Sequence, residues 1–203
     1  MIELCGQSLV RRGIALLRDG GADPVIVVTG ATGPLGTGRD LTGSDLTGSD
    51  LISADLTDAD GREAAVISVH NPSWRLGMGS SLAVGLAAVP AECAAAVFAL
   101  ADQPLVGAEA VRRLIAARTG GASVAVACYG GRPRNPVLIG REHWREVVKL
   151  AVGDVGARPF LRAHQDLVTE VECGDTGRPD DIDTPDDLAR VEALLTGTTS
   201  FPT

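Results

Sequence analysis

Short, almost uninterrupted apolar runs recur along the chain, at residues 24–31 (PVIVVTGA), 64–70 (AAVISVH), 95–101 (AAVFALA), 123–129 (SVAVACY) and 168–173 (VTEVEC). A strand that keeps one face in water alternates apolar and polar residues. A strand that is apolar throughout must be covered on both faces. Helix-length segments separate these runs, at 7–19, 80–89, 108–117, 142–150, 157–164 and 185–195. The pattern predicts a layered α/β fold with helices on both sides of a sheet. A helix opens the chain with no strand before it, so the fold reads as if it begins in its middle. The 203 residues suit one domain with a sizeable core.

The formal charge of −8 excludes a nucleic-acid surface or an anionic membrane surface, since both need clustered Lys and Arg. No run reaches the ~20 apolar residues of a membrane span, and no signal pattern opens the sequence, so the cytoplasm is the default compartment. Cys5, Cys93, Cys128 and Cys173 are far apart and read as reduced cysteines in small or apolar surroundings. Residues 39–60 repeat every five positions, with Asp40, Asp45, Asp50, Asp55 and Asp60 each beside a Leu or small residue. One such coil cannot bury a continuous core, so the repeat reads as a surface insertion, and residues 197–203 as a short tail.

Four constellations can carry chemistry. Asn71-Pro72-Ser73-Trp74 leads into Gly77-Met78-Gly79-Ser80-Ser81 at a strand-to-helix junction. Glycines there let backbone N–H groups approach an anion, although Ser80 or Ser81 could equally cap the helix. Asp102-Gln103-Pro104 ends an apolar strand, where open α/β sheets bind ligands and where a carboxylate suits a hard cation. A turn-forming Asp before proline is the alternative. Asp180, Asp181, Asp183, Asp186 and Asp187 crowd the start of a helix. Capping explains the last two, whereas the first three repel one another unless a cation or basic group sits among them. Arg132-Pro133-Arg134-Asn135-Pro136 offers two guanidiniums to a phosphate or carboxylate, or forms a solvated loop.

Taken in order, NPSW…GMGSSLAVGL, ALADQPLV, RNPVLIG and GDTGRPDDIDTPDDL resemble the MobA-like nucleotidyltransferases, and most of all the molybdenum cofactor cytidylyltransferase branch. The resemblance implies a Rossmann-like, doubly wound, mostly parallel sheet of the nucleotide-diphospho-sugar transferase kind, in one domain over residues 1–203. It implies transfer of a nucleoside monophosphate, CMP from CTP, to a molybdopterin-type acceptor with release of pyrophosphate. It assigns Asp102 and Asp183 as catalytic Mg²⁺ ligands, and places Gly79, Ser80, Ser81, Arg134 and Asn135 around the nucleotide and acceptor. A molybdoenzyme is the implied partner. The family's opening strand and glycine-rich loop with its lysine have no counterpart in the sequence, whose only lysine is Lys149. A shortened chain whose flanking strands lack a neighbour is therefore expected, and a non-catalytic member that binds nucleotide, pterin or a molybdoenzyme is the alternative.

Overall fold

The structure, a computed structural model, describes residues 2–31, 51–52 and 66–196. The five-residue repeat lies outside the described residues except for Leu51–Ile52, and so does the expected tail. The chain opens with a hairpin of β1 (Glu3–Leu4) and β2 (Gln7–Ser8). Its two-residue turn places Cys5 at φ 50° and Gly6 at φ 75°, the left-handed conformation that such turns require at both positions. Ser8 then caps α1 (Leu9–Asp19) by accepting from the Arg11 N–H at 3.3 Å, so the first helix begins two residues later than the sequence suggests.

Two sheets follow. In the first, β3 (Val25–Thr29) pairs in parallel with β5 (Val66–His70), and the short β4 (Leu51–Ile52) runs antiparallel along the far side of β5. After α2 (Met78–Ala87), the second sheet is ordered β6, β8, β7, β9: β6 (Ala95–Phe98), β7 (Val124–Tyr129), β8 (Arg132–Gly140) and β9 (Val168–Glu172). Strands β6, β7 and β9 point one way, and β8 opposes both of its neighbours. The stretch 132–136 is thus the start of a strand and not a loop. Its prolines hid it, because Pro supplies no N–H to a ladder. Pro133 sits in the exposed first part of β8 and Pro136 is buried at its middle, next to the point where the partner strand β7 shifts register between Val126 and Ala127.

Alternation along β7 and β8 sorts the core into two layers. Ala125, Ala127 and Leu138 face α1 and α3 (Ala108–Thr119). Val124, Val126, Val137 and Ile139 face α2, α4 (Trp144–Leu150) and α5 (Arg158–Ala163). Helices on both faces of a mixed, mostly co-directional sheet are the doubly wound arrangement that the apolar runs predict. The last helix, α6 (Pro185–Leu195), closes against the amino-terminal hairpin through Leu4, Leu9, Ile182 and Val191. No helix among the described residues is long and apolar enough to cross a membrane.

Strands β3 and β6 are each the edge of their own sheet, and no ladder joins them. Between them lies a cavity of about 680 Å³, lined by residues 25–28 of β3 and 94–101 around β6, with α1 and α2 over its two faces.

Candidate functional site

The loop after β6 and the segment after β9 run side by side. The Arg178 N–H donates to the Leu105 carbonyl at 2.9 Å, and the Ile182 N–H to the Asp102 carbonyl at 2.8 Å. Gly177, at φ 150°, and Gly107 make the close approach possible, because a Cβ on either would run into the facing backbone. The Asp102–Ile182 bond sets Asp102 against the two residues that flank Ile182, namely Asp181 and Asp183. The buried Gln103 donates through Nε2 to Asp181 Oδ1 at 2.7 Å and holds that carboxylate in place.

Electrostatics follow from this arrangement. The Asp102 carboxyl is held above the usual carboxylate range, first by burial, then by the neighbouring charges of Asp181 and Asp183. Its Oδ1 is buried and has no hydrogen-bond partner. Positive charge arriving beside it would offset both the burial and the repulsion. Asp180 is already matched, since Arg178 grips both its oxygens at 2.9 and 3.2 Å. Asp187 is spent on a reciprocal cap with Thr184, accepting from its N–H at 3.0 Å while donating to its Oγ1 at 3.2 Å. Of the acids in these two segments, Asp102, Asp181, Asp183 and Asp186 have no ion pair with a basic side chain among the described residues, and the first three are the ones brought together. No group of three or more His, Cys, Asp or Glu that could hold a metal ion occurs among the described residues.

The start of α2 is built differently from the expected anion cradle. The Met78 N–H donates to Asp154 Oδ1 at 3.0 Å, the Gly79 N–H to the Gly153 carbonyl at 2.9 Å and the Ser80 N–H to the Gly77 carbonyl at 3.1 Å. The amides that a phosphate would use are thus taken by the protein, and Asp154 already supplies the negative charge that a helix start favours. Gly79 is buried against the Ala151 carbonyl, and its lack of a side chain serves helix–loop packing. Ser80 is likewise engaged, its hydroxyl lying 2.8 Å from both the Asn71 Nδ2 and the Gly77 carbonyl. Of this motif only Ser81, together with Met78, reaches the cavity.

Asn135, on β8, also lines that cavity, while Arg134 beside it is exposed and donates to the Pro133 carbonyl at 3.1 Å. The structure therefore gathers Asp102 with Asp181 and Asp183 past the end of β6, and Ser81 with Asn135 along the cavity that ends at Ala101. Gly79 and Ser80 lie apart from both groups. Asn71, fully buried and bonded to both serines, carries more of the local order than its place in an Asn-Pro turn suggested.

Residues 1–168 match the family model described as the MobA-like NTP transferase domain. The chain is 33% identical over 130 residues to nicotine blue oxidoreductase of Paenarthrobacter nicotinovorans, a match that spans 61% of this chain and 63% of that enzyme. In three dimensions it resembles Rv0371c of Mycobacterium tuberculosis in complex with manganese, with a TM-score of 0.65 and 23% identity over 94% of this chain and 89% of the other. It also resembles 4-diphosphocytidyl-2C-methyl-D-erythritol synthase of Anaerococcus prevotii, with a TM-score of 0.68 and 11% identity over 96% and 88% of the two chains.

Proposed function

The chain belongs to the MobA-like NTP transferase family, and from that premise we propose that it moves CMP from CTP to a phosphate-bearing acceptor of the molybdopterin type. The acceptor's terminal phosphate oxygen attacks the α-phosphorus, the bond to the bridging oxygen of the β-phosphate breaks, and pyrophosphate leaves. No protein nucleophile is required. Two mutually repelling anions need only be aligned and their charge offset. The observation that carries the reading is Asp102 tied through its carbonyl to Ile182, with a buried carboxylate oxygen that has no hydrogen-bond partner and a carboxyl that feels the charges of Asp181 and Asp183. Asp102 and Asp183 would hold Mg²⁺, which supplies charge neutralisation for the triphosphate. Ser81 and Asn135 offer polar contacts inside the cavity, and Arg134 an exposed guanidinium for the acceptor phosphate. Delivery of the product to a molybdoenzyme belongs to the same proposal.

Incubation with labelled CTP, Mg²⁺ and molybdopterin tests it, with GTP alongside. Release of pyrophosphate that depends on the acceptor is expected, faster with CTP; none with either nucleotide refutes the reading. The likeness to nicotine blue oxidoreductase supports a second reading, a reductase working in the same cavity. Oxidation of a reduced nicotinamide cofactor in the presence of nicotine blue would favour it over transfer.

A further inference from the structure

Asn71 sits at the carboxyl end of β5 with 1% of its surface exposed, and every polar atom of its side chain is engaged. The orientation of its amide follows from one contact. The Ser73 N–H lies 2.9 Å from Oδ1, and an N–H can only donate, so the atom facing it is the oxygen. The Nδ2 group therefore points at the serines and gives its hydrogens to Ser80 Oγ at 2.8 Å and Ser81 Oγ at 3.0 Å. Both hydroxyls are acceptors in these bonds, and each has one hydrogen left. Ser80 gives its hydrogen to the Gly77 carbonyl at 2.8 Å, with the Ser73 carbonyl at 3.1 Å beside it. Ser81 has no such carbonyl among its described contacts, and it lines the cavity.

We propose that Asn71 is a positioning residue that fixes the polarity of Ser81, so that this hydroxyl presents a hydrogen to the cavity and selects a ligand with an acceptor atom there. The proposal rests on the reading that the nucleotide occupies the cavity beside Ser81. Asn71 never touches the ligand; it acts by occupying one of the two Ser81 lone pairs while offering the Ser81 hydrogen no acceptor, which leaves that hydrogen for the cavity. Replacing Asn71 with Asp keeps the shape and the contact to the Ser73 N–H but removes the donor. Both serines then turn their hydrogens toward the carboxylate, and the ligand loses its bond.

Two arms test this. In the first, Ser81→Cys and Ser81→Cys/Asn71→Ala are alkylated with iodoacetamide across pH, and the thiol at position 81 is read by peptide mass spectrometry. An amide donor favours the thiolate, so its titration midpoint is expected about one pH unit lower with Asn71 present, and equal midpoints overturn the proposal. In the second, CTP turnover is compared for Asn71→Asp, Ser81→Ala and the double variant. Asn71→Asp is expected to raise the KM for CTP about tenfold with kcat little changed, and to add nothing on the Ser81→Ala background. Additive losses overturn the proposal. If the wild-type chain turns over no nucleotide, the transferase reading falls while the alkylation arm still decides the role of Asn71. If a cysteine variant fails to fold, the KM arm decides it.

Discussion

One methyl group distinguishes packing from ligand binding at the start of α2. A Cβ on Gly79 would lie 2.6 Å from the carbonyl carbon of Ala151, closer still to its oxygen, and 3.2 Å from the Gly153 carbonyl oxygen. These are backbone atoms and cannot swing aside as a side chain would. To admit Gly79→Ala the loop between α4 and α5 must withdraw, breaking the Gly79 N–H bond to Gly153 and the Met78 N–H bond to Asp154. Two such bonds are worth about 1 kcal/mol each, and overpacking adds about 1–3 kcal/mol, against a helix-propensity gain of under about 1 kcal/mol. A net loss of about 3 kcal/mol lowers Tm by roughly 6–12 °C in a domain of this size. Gly13 in α1 is the matched control: its nearest neighbour to an added Cβ is the Ala101 Cα at 3.8 Å, so Gly13→Ala should stabilise by about 0.5–1 kcal/mol. Calorimetry or thermal circular dichroism on both variants reads the result. Equal shifts, or a Gly79→Ala chain as stable as wild type, would refute the packing geometry and return Gly79 to the ligand.

Asp102→Asn should raise Tm at neutral pH. A carboxyl whose folded pKa lies above its unfolded value favours the fold when protonated, and that support is lost as pH climbs through the raised pKa; the advantage of the variant therefore shrinks in acid. Adding Mg²⁺ should stabilise wild type more than this variant, a difference that thermal shift assays detect. Asp183→Ala should cut pyrophosphate release from CTP by at least about a hundredfold with little change in Tm, whereas Arg134→Ala should act mainly on the KM for the acceptor. In hydrogen exchange, amides on the unpaired edges of β3 and β6 should exchange well before those of β7, which is bonded on both sides.

What the sequence disclosed, it disclosed where local chemistry and global fold agree. The apolar run at 123–129 became β7, buried from Val124 to Cys128, and the helix expected over 185–195 became α6 with the same bounds. Strand β8 was concealed by Pro133 and Pro136, and β1–β2 by being two residues each. At the start of α2 the amides are satisfied by Gly153 and Asp154, some 75 positions along the chain, a pairing that no local pattern carries. The acidic crowd before α6 was legible as a cluster in need of positive charge, but its division was not: Asp180 goes to Arg178 two residues away, while Asp181 goes to Gln103, a pairing that only contact between distant loops decides.

The divided sheet gives the molecule an unusual mechanical character. The β3–β5–β4 unit meets the rest chiefly through α1 and α2, so a small slide of one half past the other breaks no rung of a ladder and works against side-chain packing and the bonds that tie α2 to Gly153 and Asp154. The gap between the halves is spanned by no ladder, and whatever occupies it sets the spacing between Ser81 on one bank and Asn135 on the other.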